Sequence, residues 1–131
     1  MIRLYTRGGC NSSLKAKNWL EAHNIEFEHK KMAQLSQQEL LHLLSLTTSG
    51  VEEILKLKGK RNRENLQSLF HFSEWSLTEC VYFLKYHTEF LQSPLILDQE
   101  KYMMGYHTEE IRQFLPKSYR KQERLAQDEA V

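Results

Sequence analysis

The N-terminal stretch constrains the fold most, because it predicts a strand, a helix and a second strand in close succession. Residues 2–6 alternate in polarity and carry β-favouring side chains, which predicts a strand. Residues 12–23 place Ala16 and Leu20 on one helical face, and residues 25–29 then predict the second strand. Elements in this order form a βαβ unit, whose strands are parallel and whose crossover is right-handed.

The middle of the chain, from residue 36 to about residue 91, is predicted to be helical without a well-formed strand. Three S-x-x-E sequences there are typical of capping boxes, in which serine and glutamate side chains satisfy the first backbone amides of a helix. The boxes pair Ser36 with Glu39, Ser49 with Glu52, and Ser76 with Glu79.

Strand signals return after Ser93-Pro94, because the residue before a proline disfavours the α region and ends the helical segment. Residues 95–97 and 102–104 predict two short strands, and the brief turn between them makes the pair antiparallel. A last helix is predicted from about residue 108 to residue 115, where Pro116 ends it.

The predicted order, β-α-β, then helices, then β-β-α, indicates an α/β protein with a thioredoxin-like core, a mixed sheet and an all-helical insertion. We expect one domain over residues 1–116. Its core comprises residues 1–34 and 92–116, and the insertion spans about 35–91. Residues 117–131 form a charged tail that we expect to be flexible.

Cys10 is the candidate reactive residue, since it lies between Gly8-Gly9 and the predicted start of the first helix. Backbone amides of a first helical turn and the helix dipole favour a thiolate at such a position. By analogy with the fold, Cys10 and Pro94 are expected to be neighbours. A second cysteine three residues on would make a redox pair, but that position holds Ser13. The alternative is a small residue at a tight turn, without chemistry.

Composition excludes several classes of protein. The chain has 131 residues, 40% of them apolar and 27% charged, and a net charge of +1, which fits one globular domain without overall attraction to nucleic acid or membranes. We expect a cytoplasmic protein, because no apolar run approaches a membrane span of roughly 18 residues and no signal peptide is evident. Two cysteines do not make a disulfide framework, and the six histidines lack metal-binding spacing. We therefore predict no metal site and no cofactor.

Three further features have competing interpretations. The run KLKGKRNR, from Lys56 to Arg63, is either a patch for an acidic protein surface or promoter phosphates, or a solvated loop. Aromatic residues from Phe70 to Trp75 are expected to cover the core, with stacking on bases as the alternative. Cys80 lies among apolar residues at helical spacing and is expected to be a buried, inert thiol.

Four separated motifs resemble the Spx branch of the arsenate-reductase-like family: LYTRGGCNSSLKAKNWLEAHNIEFE, TTSGVEEILKLKGK, SPLILD and MGYHTEEIRQFLPK. The resemblance extends in register to about residue 121. It implies a cytoplasmic bacterial stress-response regulator that binds the C-terminal domain of the RNA polymerase α subunit and alters promoter use. Any contact with promoter DNA is expected only within the polymerase complex.

The resemblance also assigns the expected contact. In the family, a glycine that opens the central helix lies at the polymerase interface, and its counterpart here is Gly50. We expect Lys58 and Lys60 to help this contact. The Spx redox switch is a CxxC, matched by Cys10 and, in its second place, by Ser13, so the intramolecular disulfide of the switch is lost.

A second departure concerns catalysis. The arsenate reductases use an arginine just before the proline, where this chain has Gln92 and Ser93, and lysines stand where basic residues of the insertion fall. Lysine does not replace the bidentate fork of arginine, so we predict a protein that is not an enzyme and has no catalytic residues. The alternative is a monothiol oxidoreductase or arsenate-reductase-like enzyme acting through Cys10. A third hypothesis is that Cys10 alone senses oxidants through a sulfenic acid or a mixed disulfide.

Overall fold

The computed structural model describes residues 1–55 and 75–116, in which four strands form one sheet. The strands are β1 (Ile2–Thr6), β2 (Phe27–Lys31), β3 (Leu95–Leu97) and β4 (Tyr102–Met104). The α-helices in this part of the chain are α1 (Asn11–Ala22), α2 (Gln37–Leu46) and α3 (Leu77–Tyr86). Short 3-10 helices cover Met32–Gln34, Gly50–Glu53, Thr88–Phe90 and Glu110–Phe114.

The sheet is mixed, with the strand order β2-β1-β3-β4. β1 pairs with β2 in parallel, and β3 runs antiparallel to both β1 and β4. The predicted α/β fold class with a thioredoxin-like core is therefore confirmed. β2 begins two residues later than predicted, because Ile25 takes part in the hydrogen bonds that end α1. Asn24 adopts φ +54, and the amide of Ile25 donates to the carbonyl of Leu20 at 3.0 Å, which closes a Schellman-type helix end.

Each face of the sheet carries its own core, because successive side chains of a strand point to opposite faces. Leu4 and Tyr5 are both fully buried, and they belong to different clusters. On the Leu4 face, α1 and the last 3-10 helix pack through Ala16, Leu20, Ile96, Met103, Ile111 and Phe114. On the Tyr5 face, α2 and α3 pack through Leu40, Leu43, Val81, Leu84, Leu95 and Leu97.

Two of the three predicted capping boxes are confirmed. Ser36 accepts a hydrogen bond from the amide of Glu39 at 3.0 Å, and Ser76 accepts one from the amide of Glu79 at 3.2 Å. The box predicted at Ser49 and Glu52 is wrong. Ser49 instead donates to the carboxylate of Glu53, four residues on, and the segment that follows is a single 3-10 turn.

Other predictions fare differently. The last helix is present as a 3-10 helix and not as an α-helix. Cys80 is 3% exposed, and burial, with the neighbouring Glu79 carboxylate, raises the pKa of its thiol. The Trp75 ring packs edge-on against Phe83, a residue packed against the core on the Tyr5 face, which favours the core interpretation for this tryptophan. Several predicted features lie outside the described residues. These are the other aromatic residues between Phe70 and Trp75, the KLKGKRNR run and the tail at 117–131. No described helix is long and apolar enough to cross a membrane.

Candidate functional site

Cys10 lies where the sequence predicts it, at the N-terminus of α1 directly after β1. It is the N-cap residue of α1, with extended backbone, and Gly9 before it adopts φ +72, a conformation that glycine takes without strain. The thiol faces the loop before β3. Its Sγ lies 3.6 Å from the Ser93 Oγ and 3.9 Å from the Ser93 carbonyl oxygen, next to the cis Ser93-Pro94 bond. The expected proximity of Cys10 to Pro94 is therefore confirmed through Ser93.

The surroundings of Cys10 favour its thiolate. Partial burial opposes ionisation, but hydrogen bonds from the Ser13 and Ser93 side chains and from the backbone amides of Ser13 and Ser12 outweigh it. Together they lower the pKa of the Cys10 thiol below its ordinary value. A lowered thiol pKa raises the fraction of the nucleophilic form at neutral pH. The interpretation of Cys10 as an inert residue at a tight turn is therefore not favoured.

Ser13 occupies the place of a second thiol and is itself held in a network. Its side chain is buried, its Oγ lies 3.0 Å from the Ser93 Oγ, and it accepts a hydrogen bond from the amide of Arg7 at 3.4 Å. Hydroxyls at positions 13 and 93 thus surround the sulfur of Cys10. A serine hydroxyl cannot form a disulfide. Cys10 therefore has no second thiol at position 13 with which to form an internal disulfide.

Arg7 is a site residue that sequence reasoning missed. Its Nη2 donates to the carbonyl oxygens of Thr88 and Leu91, at 2.5 and 3.1 Å. The guanidinium therefore ties the loop before Cys10 to the segment between α3 and β3. The sequence offers only the arginine immediately before Gly8-Gly9-Cys10 as a signal, and its acceptors lie more than eighty residues away.

Gln92 is likewise committed to a structural contact. Its Nε2 donates to the carbonyl oxygens of Glu53 and Leu55, at 3.2 and 3.1 Å, and its backbone amide donates to the carbonyl of Ile54 at 3.1 Å. Leu55 also pairs with Leu91 in an isolated β-bridge. Gln92 thus fastens the turn around Gly50 to the loop that faces Cys10.

Gly50 opens the 3-10 turn Gly50–Glu53 and adopts φ +83. A Cβ placed on this glycine would meet no described atom within 4 Å, so the described residues leave the space above it open. Positive φ and open space together describe a backbone corner that another molecule can approach closely. Gly50 is half-buried, and its neighbour Val51 packs against the core on the Tyr5 face.

The Glu53 carboxylate holds this turn in place. Its Oε1 accepts hydrogen bonds from the amides of Thr48 and Ser49 and from the Ser49 hydroxyl, at 3.1, 2.9 and 2.8 Å. Its Oε2 accepts a short hydrogen bond from the Tyr102 hydroxyl on β4. The bond from Tyr102, followed by those from Ser49, lowers the pKa of Glu53 to about 2, while burial, and then the Glu53 carboxylate, raise the pKa of Tyr102 to about 12. The carboxylate therefore connects the Gly50 turn to the sheet.

Two clefts border Cys10. One, of about 600 Å³, extends past Ser93 and Gln92 to Glu52 and Leu55, beside the Gly50 turn. The other, of about 790 Å³, lies between the start of α1 and the end of β2. Its cationic lining residues are Arg7, Lys17, Lys30 and Lys31.

The remaining predicted site residues are Lys58 and Lys60. Both lie outside the described residues, so their predicted role in partner binding stays a prediction. In the described ranges 1–55 and 75–116, no three His, Cys, Asp or Glu side chains gather closely enough to hold a metal ion.

A mixed four-stranded sheet, with a cysteine at the start of the first helix facing a cis-proline loop, defines a thioredoxin-like protein with one cysteine at the site. Solved structures share this fold. An ArsC-family-related protein from Bacteroides fragilis matches with a TM-score of 0.70 at 20% identity, covering 86% of this chain and 96% of its own. An arsenate reductase from Vibrio cholerae matches with a TM-score of 0.61 at 20% identity, covering 87% and 94%.

Sequence relatives are more specific. The model of the ArsC family matches residues 5–114. The global transcriptional regulator Spx of Streptococcus pneumoniae is 37% identical over 94% of this chain and 92% of its own length. The Spx of Lactiplantibacillus plantarum is 36% identical over 95% and 94%. The chain belongs to the ArsC family and, within it, to the Spx family.

Proposed function

We propose that this protein is a transcriptional regulator of the Spx type that binds the C-terminal domain of the RNA polymerase α subunit and alters promoter use under stress. The relatives that match nearly its whole length are named as global transcriptional regulators. The contact centres on Gly50 and is helped by Lys58 and Lys60. The observation that carries this assignment is the open, positive-φ corner at Gly50.

The same geometry supports a protein that acts by binding and not by catalysis. An oxyanion such as arsenate needs a guanidinium fork, but the residue before Pro94 is Ser93, and the Nε2 of the preceding Gln92 already donates to the carbonyl oxygens of Glu53 and Leu55. The family's CxxC switch is reduced to Cys10 and Ser13, so this regulator does not respond to oxidants through an intramolecular disulfide. We expect it to act in the cytoplasm, where RNA polymerase is found.

The lowered pKa of Cys10 is the observation that favours a second candidate, a monothiol oxidoreductase acting through Cys10. This candidate requires turnover of a disulfide substrate with a thiol reductant. A purified protein that shows no turnover under such conditions excludes it and leaves the regulator proposal intact.

A pair of substitutions at Gly50 tests the proposed interface. Both Gly50→Ala and Gly50→Arg add a Cβ at positive φ, so both should destabilise the fold by a similar amount, about 1 kcal/mol. The long arginine side chain additionally fills the open space where the partner must pack. We expect Gly50→Arg to weaken binding to the isolated α C-terminal domain by more than about tenfold relative to Gly50→Ala.

Binding measured by calorimetry, alongside thermal unfolding of both variants, separates the two effects. Equal unfolding temperatures with unequal affinities would support an interface at Gly50. If Gly50→Arg binds as tightly as Gly50→Ala, Gly50 does not lie at the contact and the proposed interface is wrong.

A further inference from the structure

One face of α3 carries a small groove whose chemistry the proposed regulatory contact does not use. The groove combines aromatic rings with one carboxylate, from Trp75, Glu79, Tyr82, Phe83, Tyr86 and His87. The carboxylate and three of the rings are spaced i, i+3, i+4 and i+7 along the helix, which places them on one face. The volume, about 280 Å³, lies just below that of small-molecule sites, roughly 300 Å³ and above. This aromatic groove therefore fits a single side chain better than a whole small molecule.

The outer wall of the aromatic groove is exposed to solvent. Tyr82 and Tyr86 are 59% and 62% exposed, and their ring centroids lie 5.1 Å apart. Phe83, by contrast, packs against the core on the Tyr5 face, and the His87 ring stacks on it at a centroid distance of 4.2 Å. Tyrosine and tryptophan are enriched at binding surfaces, because each combines a large apolar area with a polar group. Two adjacent exposed tyrosines beside a groove therefore indicate a contact surface.

The Glu79 carboxylate gives the aromatic groove a negative charge. Its Oε1 accepts hydrogen bonds from the Ser76 amide and hydroxyl, at 3.4 and 3.1 Å, within the capping box of α3. Its Oε2 accepts no hydrogen bond from the described residues, and none of their Lys, Arg or His nitrogens lies within 4 Å of the carboxylate. One carboxylate oxygen is therefore available to a ligand.

The aromatic rings and the carboxylate favour the same kind of ligand. The face of a tyrosine or tryptophan ring is electron-rich and attracts a cation that lies over it. The structure contains one example, since the Lys85 Nζ lies 5.6 Å from the centroid of the Tyr86 ring. A guanidinium suits both groups best, because it is planar, stacks on aromatic rings and donates hydrogen bonds from its edge to a carboxylate.

We propose that the aromatic groove is a docking site for an arginine side chain of a protein partner. The guanidinium stacks on the exposed tyrosine rings and donates to Oε2 of Glu79, while the aliphatic part of the side chain covers Phe83. Charge complementarity distinguishes this occupant from an apolar side chain, which would exclude water from the Glu79 carboxylate without replacing its hydrogen bonds. The site uses no residue of the Gly50 turn, so it does not depend on the proposed polymerase contact.

A matched pair of short peptides tests the proposal on the full chain. Both are capped tripeptides with glycine at the ends, and the central residue is either arginine or citrulline, which has nearly the same shape but no charge. Binding is followed by NMR through the indole N–H signals of the two tryptophans, assigned with Trp19→Phe. Trp75 lines the groove, whereas Trp19 packs against the core on the Leu4 face and is an internal control.

We expect the arginine peptide to shift the Trp75 signal and to leave the Trp19 signal in place. Its affinity should exceed that of the citrulline peptide by about fivefold, because the neutral side chain loses both the cation–π contact and the charge pair. Tyr86→Leu keeps an apolar side chain but removes the ring, so it should weaken binding of the arginine peptide by about threefold.

Glu79→Gln assigns the selectivity to the carboxylate. Glutamine also completes a capping box, so α3 keeps its N-terminal hydrogen bonds while the groove loses its charge. The arginine peptide should bind about threefold more weakly, and the affinity for the citrulline peptide should not change. Glu39→Gln is the matched control, because Glu39 has the same position in the capping box of α2 and does not line the groove.

Three results would overturn the proposal. A Trp75 signal that does not move at millimolar arginine peptide would show that the groove binds no guanidinium. Equal affinities for the two peptides would show that charge does not select the ligand. A loss of affinity in Glu39→Gln as large as that in Glu79→Gln would assign the effect to the overall charge of the protein. None of these results depends on whether the protein binds RNA polymerase.

Discussion

Replacing Arg7 by methionine should destabilise the protein more than any ordinary surface substitution. Methionine keeps an unbranched side chain of comparable length but removes both hydrogen bonds from Nη2 to the carbonyl oxygens of Thr88 and Leu91. Hydrogen bonds from a charged donor contribute about 1.5 kcal/mol each at the low end of their range, which sums to about 3 kcal/mol. Part of this loss is offset because the shorter-reaching side chain regains rotamer freedom.

The expected net loss for Arg7→Met is therefore about 2.5 kcal/mol in the free energy of unfolding, or about 10 °C in Tm for a domain of this size. Urea denaturation at neutral pH measures it. The free energy of unfolding of Arg7→Lys should lie between those of the parent and Arg7→Met, because an ammonium keeps the charge but has a different reach and no planar fork. Lys15→Met, on the exposed face of α1, is the control and should change stability by less than about 0.5 kcal/mol.

The result also reports on how the molecule is connected. Arg7 belongs to the loop between β1 and α1, whereas Thr88 and Leu91 belong to the segment between α3 and β3. If the free energy of unfolding of Arg7→Met lies within about 0.5 kcal/mol of the parent's, the hydrogen bonds of the guanidinium contribute nothing measurable to stability. The Cys10 loop is then held by its serine network alone.

Two further predictions concern Glu53 and Ser13. The pKa of Glu53 is lowered to about 2 from an ordinary value of 4.5, so its contribution to stability is present above about pH 4.5 and is lost as the pH falls through about 2. Glu53→Gln should therefore flatten the pH dependence of urea denaturation in that window, and an unchanged slope would contradict the role assigned to the carboxylate. Ser13→Cys places a second thiol beside Cys10, so treatment with hydroxyethyl disulfide should end in an internal disulfide and not in an adduct. Intact mass distinguishes the two, and a persistent adduct would show that position 13 cannot reach the Cys10 sulfur.

The sequence predicts what depends on neighbouring residues. The capping boxes at Ser36 and Ser76, the strand β1 and the turn before α1 all follow from side chains a few residues apart. The capping box predicted at Ser49 does not form, because two glutamates follow in succession and Ser49 binds the second of them. That residue, Glu53, also accepts a hydrogen bond from Tyr102 on β4. That choice depends on a residue 49 positions away, which local pattern does not contain.

The candidate site shows the same division. Cys10 is identifiable from its position between glycines and a helix, and its neighbour across the fold could be inferred only by analogy with the thioredoxin-like arrangement. The roles of Arg7 and Gln92 were not predictable, because both side chains donate to backbone carbonyl oxygens. Any residue offers a carbonyl, so the sequence around the acceptors carries no signal.

Residues 92 and 93 connect the Cys10 thiol with the Gly50 turn, where the polymerase contact is proposed. The Ser93 hydroxyl contacts the sulfur of Cys10, while the Gln92 amide, one residue earlier, holds the carbonyl oxygens of Glu53 and Leu55 behind the Gly50 turn. The cleft of about 600 Å³ runs along this segment from Cys10 past Ser93 and Gln92 to Glu52 and Leu55, so a group bonded to Cys10 can extend toward the Gly50 turn without displacing Ser93. The Cys10 thiol and the proposed polymerase contact therefore share one backbone segment, although they use opposite ends of it.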